Sequence, residues 1–352
     1  WYFWIVVVPI EAIAGAQILQ QWIDLPMWQL GLGLMAVMTA VNLLSARSYG
    51  EFEFWFSSIK VAAIIAFILV AAAFAFGLTS PDGATFANLT DHGGFAPKGW
   101  VPVVATVTTV FFSLVGAEIT TVAAAESKDP EKAVVRMATT ITWRILLFYV
   151  VSLGLIVCVV AWPMVKPGES PFTLALNVMG FKWGSAVMSF IILTAVLSCL
   201  NSAVYVCSRV LHVMADRGDA PRWLAEVNSQ RVPARSILLG SLVGVIGVVI
   251  AIVSPNRVFA FLISTTGTVI LFVYLMTAVA HIRLRRRHPE TETKAVRVWL
   301  FPWLSYVTIG AMVAVLIAMA VTPELASQFY FSLLTLAVVV GSYYGFRKPR
   351  GG

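Results

Sequence analysis

A single carboxylate interrupts a long apolar run near the middle of the chain. Glu118 lies in the run 100–126, WVPVVATVTTVFFSLVGAEITTVAAAE, shortly after Ser113 and Gly116. In hydrocarbon a charged side chain costs about 2.5 kcal/mol or more, and each unpaired backbone amide or carbonyl costs several more. We therefore expect the helix to unwind here and to present amide and carbonyl groups to a hydrated cavity. Such a cavity suits a zwitterion, whose two charges complement these groups.

The composition indicates an all-α integral membrane protein. Of the 352 residues, 59% are apolar and only 12% are charged, and the mean hydropathy is +0.88. Soluble domains are about one-quarter charged, so this chain does not fit that class. Apolar stretches of suitable length predict ten transmembrane helices. Their approximate bounds are 1–22, 27–45, 55–77, 100–125, 143–162, 184–213, 236–253, 258–281, 300–320 and 328–345.

Positive charges are concentrated in alternate loops of this ten-helix arrangement. Of the 24 lysines and arginines, only Lys98, Lys166, Lys182 and Arg257 fall on the opposite side. The crowded side is cytoplasmic by the positive-inside rule. The net charge of +7 is thus explained by cytoplasmic anchors at a lipid bilayer, and it does not imply nucleic acid. We expect a multi-pass protein of the cell membrane.

Two further ionisable residues lie within predicted helices. Lys60 follows EFEFWFSSI, about two turns into its helix, so its ammonium lies near or inside the membrane. Its spacing fits either a side chain that snorkels to the cytoplasmic interface or a functional charge. Glu11 follows Pro9, where a proline kink turns the acid toward either a solute pathway or a neighbouring helix.

The sequence carries no motif of an enzyme. The four histidines are scattered, and HExxH, CxxC, GxSxG and the phosphate loop GxxxxGK[ST] are all absent. We therefore predict no catalytic residues, no metal site, no cofactor and no use of ATP. A channel stays open as an alternative, because an interrupted helix also suits a selectivity filter.

Four ordered segments resemble the bacterial amino acid transporter family of the amino acid, polyamine and organocation superfamily. They are PIEAIAGAQIL, SARSYGEFEFWFSSIKVAAIIAF, FFSLVGAEITTVAAAESKDPEKAVVRMATTITWRILLFYV and SCLNSAVYVCSRVLHVMADRGDAP. Within the family, PIEA and GAEI are most similar to the 4-aminobutyrate permeases. The likeness extends from the first predicted helix to the last.

The resemblance implies a fold of twelve helices, in which the first ten form two inverted repeats of five. The ten predicted helices would be numbers three to twelve, so we expect an N-terminally truncated chain whose first two helices are missing. Residues 1–97 would hold helices three to five, and 98–284 the second repeat with its sixth helix broken. Residues 285–352 would hold helices eleven and twelve with a cytoplasmic C-terminus.

The resemblance also assigns a substrate site. The family's broken helix binds the amino acid. Glu11 is added to this site from its own position after Pro9, as a residue that lines the pathway. The matching residues of the broken helix are Phe112, Ser113, Gly116, Ala117 and Glu118. Two of these keep a structural alternative, since Phe112 also fits ordinary packing between helices and Glu118 also fits a hydrogen bond that only joins helices.

A proton-coupling role is likewise implied for Lys60. In proton-coupled relatives, a lysine at the matching position occupies the ion site of the sodium-coupled transporters. Lys60 would then gain and lose a proton during transport. The polar groups expected beside it are Ser198, Asn201 and Ser202.

The combined expectation is a secondary active transporter that imports 4-aminobutyrate or a related small amino acid by proton symport with alternating access. Three alternatives share the same motifs. The first is a permease for proline, aromatic or basic amino acids, and the second is an amino acid exchanger. The third is an amino acid sensor with the body of a transporter, which only a transport assay distinguishes.

Overall fold

A computed structural model describes residues 1–44, 46–116, 130–166, 169–229, 232–287 and 300–346. Within these ranges every regular element is helical, as the sequence predicted. The α-helices are α1 (Tyr2–Leu19), α2 (Met27–Leu44), α3 (Ala46–Ala75), α4 (Trp100–Leu114), α5 (Pro130–Ile145), α6 (Ser152–Val159), α7 (Pro171–Val178), α8 (Lys182–Asp216), α9 (Ala234–Ile250), α10 (Pro255–Arg287), α11 (Trp303–Val321) and α12 (Pro323–Phe346).

Eight helical segments in the described ranges are long and apolar enough to cross a membrane. They are Tyr2–Leu19, Met27–Leu44, Glu53–Ala75, Val135–Val159, Lys182–Asp216, Pro255–Arg287, Trp303–Val321 and Leu325–Ser342. Helix α9 is apolar but shorter, with 17 residues, and α4 has 15. The count of ten membrane helices therefore stays a prediction, whereas the multi-pass helical architecture is established.

The described helices form two compact units. The first unit comprises Trp1–His92, Gly154–Leu262 and Val338–Gly352, and the second comprises Gly93–Leu153 and Ile263–Ala337. This division follows spatial contacts and combines segments from both predicted repeats. The repeat boundaries proposed from the sequence remain predictions.

Helix α1 lies at the centre of the first unit, where it packs against α2, α8 and α9. Its side chains are apolar on nearly every side, which suits a helix surrounded by other helices. Val8, Ile13, Met35 and Leu200 are almost completely buried in this core. Helix α3 packs on α8, and this contact brings together the polar groups of the candidate site.

Glycines allow α1, α2 and α9 to approach one another closely. On each of these helices a glycine accommodates a side chain of the next helix, and a Cβ atom added there would lie 2.9 Å or less from that side chain. The pairs are Gly15 with Leu34, Gly31 with Val248, and Gly247 with Pro9. Because lipid is as apolar as the side chains, such close van der Waals packing is a main source of helix association in membranes. We call these three glycines the glycine ring.

In the second unit, α4 ends at Leu114, inside the apolar run that contains Glu118. Gly116 follows in a turn with φ of 112°, a left-handed conformation that glycine adopts without a steric penalty. The Tyr149 hydroxyl donates a hydrogen bond of 3.0 Å to the Ser113 carbonyl oxygen. Tyr149 lies in a π-helical turn, Leu146–Val151. The described part of the apolar run thus leaves the helical conformation in mid-sequence.

Candidate functional site

A lysine, a serine and a glutamate form a hydrogen-bonded chain between α3 and α8. The Lys60 Nζ donates to the Ser198 Oγ at 2.8 Å, and the Ser198 hydroxyl donates to the Glu53 Oε1 at 2.6 Å. Lys60 Nζ and Glu53 Oε1 are 3.7 Å apart, which makes them an ion pair. The two charged side chains are only 28% and 27% exposed. Lys60 and Glu53 share a face of α3 because seven residues make about two turns.

Hydroxyl groups surround the Glu53 carboxylate. In addition to Ser198, the Ser57 hydroxyl donates to Oε1 at 3.2 Å and the Ser202 hydroxyl to Oε2 at 3.4 Å. The carboxylate thus accepts three hydroxyl hydrogen bonds and faces the Lys60 ammonium. The arrangement therefore holds two opposite charges at the start of a membrane-crossing segment, Glu53–Ala75. We call Lys60, Glu53 and the hydroxyls of Ser57, Ser198 and Ser202 the Lys60 cluster.

Two other ionisable groups interact electrostatically with this cluster. Glu11 on α1 interacts with Lys60, and Cys199 on α8 interacts with Glu11, Lys60 and Glu53. Glu11 is partly buried. The structure thus brings Glu11, which the sequence assigned to the substrate pathway, into the field of the Lys60 cluster.

Asn201, the third polar residue expected beside Lys60, belongs to a separate buried pair. The Asn42 Nδ2 on α2 donates to the Asn201 Oδ1 at 2.8 Å and also to the Met38 carbonyl oxygen at 2.9 Å. Asn42 and Asn201 are 4% and 1% exposed. This amide pair joins α2 to α8 next to the two α8 serines that contact Glu53, so it positions α8.

Replacing Asn42 with alanine is expected to destabilise the protein by about 1 kcal/mol, because the buried Asn201 oxygen loses its donor. Thermal unfolding of the protein in detergent measures this change. The exposed Asn177 on α7 supplies the matched control, and Asn177→Ala should leave the unfolding temperature nearly unchanged. Equal stability of Asn42→Ala and the control would show that the amide pair contributes nothing.

The residues predicted on the broken helix are described only in part. Ser113 lies in the last turn of α4, and its hydroxyl donates to the Thr109 carbonyl oxygen at 2.9 Å. The backbone of Phe112 is helical, but its side chain lies outside the description, as do Ala117 and Glu118 entirely. The assignment of these residues to a substrate site remains a prediction.

Glu53 is the member of the cluster that the sequence analysis did not identify. Its signal was present in EFEFWFSSIK, since an acid seven residues before a lysine lies on the same helical face. Ser57 lies four residues after Glu53 on the same helix, so its contact also follows from helical spacing. The Ser198 hydroxyl could not be assigned to Glu53 from spacing, because the α3–α8 contact joins residues far apart in the sequence. Among the described residues, no group of three or more histidine, cysteine or acidic side chains could hold a metal ion.

Long apolar helices, with an ion pair and several hydroxyls between two of them, define a multi-pass membrane protein that holds polar groups between its helices. The model of the amino acid permease family matches residues 1–348, and the chain belongs to that family. It is an amino acid transporter of the bacterial plasma membrane, similar to the 4-aminobutyrate permeases.

Curated relatives define this similarity. The gamma-aminobutyric acid permease of Bacillus subtilis (strain 168) is 40% identical over 99% of this chain and 76% of its own length. The gamma-aminobutyric acid permease of Escherichia coli (strain K12) is 38% identical over 92% of this chain and 70% of its own length. The aromatic amino acid transport protein of Escherichia coli (strain K12) is 32% identical over 99% of this chain and 76% of its own length.

Proposed function

We propose that this protein imports 4-aminobutyrate, or a closely related small amino acid, together with a proton. The observation that supports proton coupling is the Lys60 ammonium, which lies seven residues inside a membrane-crossing segment and is hydrogen-bonded to Ser198 on α8. An ionisable group at this depth is costly to retain unless it has a function. Alternating access would expose the cluster first to one side of the membrane and then to the other.

The choice of substrate is supported by the relatives. The gamma-aminobutyric acid permeases are more similar to this chain than the aromatic amino acid transport protein, at 40% and 38% against 32% identity. 4-Aminobutyrate carries one ammonium and one carboxylate, which match the amide donors and carbonyl acceptors expected at the broken helix. An aromatic amino acid is the second candidate, because the aromatic transport protein aligns over the same length.

Proton symport is energetically sufficient for accumulation. A neutral zwitterion and one proton move one net charge, which yields about 2.3 kcal/mol per 100 mV of membrane potential. At roughly 150 mV this supports about 300-fold accumulation, since each ~1.36 kcal/mol is a factor of ten. No nucleotide hydrolysis is required for such a gradient.

Uptake of labelled 4-aminobutyrate is the direct test. Cells that lack their own uptake system and express the full gene should accumulate the label, and a protonophore should abolish the accumulation. Excess unlabelled 4-aminobutyrate should compete more strongly than phenylalanine or proline. Accumulation that ignores the proton gradient would exclude symport and favour exchange. Absence of uptake for every amino acid tested would favour a sensor.

A further inference from the structure

The hydrogen bonds of the Lys60 cluster connect the ammonium to the carboxylate through one hydroxyl, a connection that proton binding by Lys60 alone does not require. Lys60 donates to Ser198, and Ser198 in turn donates to the Glu53 carboxylate. The direct Lys60–Glu53 separation of 3.7 Å exceeds hydrogen-bond length, so the path through the hydroxyl is the shorter one at each step. A hydroxyl that accepts on one side and donates on the other can relay a proton.

The position of Glu53 gives this path an end point. Glu53 is the first residue of its membrane-crossing segment, and Lys60 lies about two turns further along the helix. The distribution of lysine and arginine among the predicted loops assigns this end of α3 to the cytoplasmic side. The chain of hydrogen bonds therefore leads from a deeper ammonium toward a carboxylate near the cytoplasmic surface.

We propose that Glu53 accepts the proton of Lys60 through Ser198 and releases it toward the cytoplasm. In this step one N–H bond of the ammonium breaks and a new O–H bond forms on the Ser198 oxygen. The original Ser198 proton moves at the same time to the Glu53 Oε1. An ammonium and a carboxylate become a neutral amine and a carboxylic acid, with no change in net charge.

Release of the proton to cytoplasmic water then regenerates the Glu53 carboxylate. Lys60, left as an amine, can take up the next proton when the site faces outward. The other ionisable groups within electrostatic range of the pair are Glu11 on α1 and Cys199 on α8. This inference depends on the proposed proton symport and adds a specific residue to it.

Two assays on the same variants test the relay. Net accumulation requires proton release at each cycle, whereas exchange of labelled for unlabelled 4-aminobutyrate across proteoliposomes does not. Glu53→Gln and Ser198→Ala should lower accumulation about tenfold or more and leave exchange within about threefold of the wild-type rate. Ser198→Thr, which keeps the hydroxyl, should accumulate more than Ser198→Ala at equal membrane abundance. Glu51→Gln, an exposed acid on the same helix, is the matched control and should retain both activities.

A pH profile separates the relay from a merely structural role. With the outer pH fixed, wild-type uptake into proteoliposomes should slow as the inner pH falls, because Glu53 releases its proton to the inner solution. The residual uptake of Glu53→Gln should not respond to the inner pH. Normal accumulation by Glu53→Gln or Ser198→Ala overturns the relay. It is also overturned if these variants lose both exchange and accumulation while their membrane abundance stays normal. A wild-type protein without proton-driven accumulation would instead refute the proposed function.

Discussion

Lys60→Ala is expected to lower proton-driven accumulation of 4-aminobutyrate by about a hundredfold, the lower end of the range for a positioned proton-transfer group. The variant removes the only cation that the structure places against Glu53 among the described residues, and it leaves the Ser198 hydroxyl without its donor. The measurement is the ratio of internal to external label at steady state. Lys166→Ala, which removes an exposed lysine on the predicted outer side, should accumulate like the wild type.

Lys60→Arg distinguishes a proton carrier from a fixed positive charge. Arginine keeps the charge and the hydrogen-bond donors but does not lose its proton in proteins. We therefore expect Lys60→Arg to fail in accumulation nearly as completely as alanine, although its ion pair with Glu53 can still form. Full accumulation by the arginine variant would reduce Lys60 to an electrostatic anchor. Full accumulation by the alanine variant would support simple snorkelling.

The stability of the Lys60 variants must be measured beside their transport. Removing one partner of a buried ion pair costs about 3–5 kcal/mol, but both side chains here are partly exposed, so about 1–2 kcal/mol is expected. Membrane abundance and unfolding temperature provide this measurement. If Lys60→Ala loses much of its membrane abundance and Lys60→Arg does not, the transport activity of the arginine variant is the one that tests the role of Lys60.

Gly247→Val is expected to destabilise the first unit. A Cβ at this position would lie 2.9 Å from the Pro9 Cγ and closer still to the Pro9 Cβ, whereas carbon atoms pack best at about 3.5–4.0 Å. The proline ring cannot rotate away, so α1 and α9 must separate. Overpacking of this kind costs about 1–3 kcal/mol and occasionally more. Lower membrane abundance and a lower unfolding temperature are the expected results.

Gly33→Val provides the control for this change. Gly33 also lies within an apolar helix, but a Cβ added there would meet no atom within 4 Å. Both substitutions change helix propensity equally, so their difference reports the steric contact alone. Equal unfolding temperatures for the two variants would show that α1 and α9 do not pack as closely as Pro9 and Gly247 indicate.

The membrane helices were largely predictable from apolar length, and their ends were less so. The predicted stretch 184–213 corresponds to α8, Lys182–Asp216, with errors of only a few residues. Helix α3 begins at Ala46, nine residues before the predicted 55, because its first turns are polar and do not raise the local hydropathy. Likewise the stretch predicted to begin at 143 starts at Pro130, since the charged first turns of α5 lie outside the apolar window.

Some local features had no reliable signal in the sequence. The π-helical turn Leu146–Val151 lies inside a continuous apolar run, and composition does not distinguish it from α-helix. The short helix α7 lies in a predicted outer loop, where Pro171 at its first position was an available start signal. Helix propensity and hydropathy identify membrane segments well, but they do not identify hydrogen-bond geometry within them.

One contact of the candidate site was also predictable from the sequence, and another was not. The proximity of Lys60 to Ser198 was expected from the family resemblance, and the structure places them 2.8 Å apart. The pairing of Asn201 with Asn42 could not be predicted, because it depends on a contact between residues separated by 159 positions. The roles of all these residues in proton coupling remain predictions for the transport assays.

The glycine ring also constrains how this chain can recombine with its relatives. Each of α1, α2 and α9 both receives a side chain at a glycine and inserts one into the next helix, so the three contacts close on themselves. A chimaera that exchanges a single one of these helices breaks two contacts at once, whereas one that exchanges all three preserves every pair. A substitution at one of these six positions is therefore expected to require a compensating substitution at its partner position.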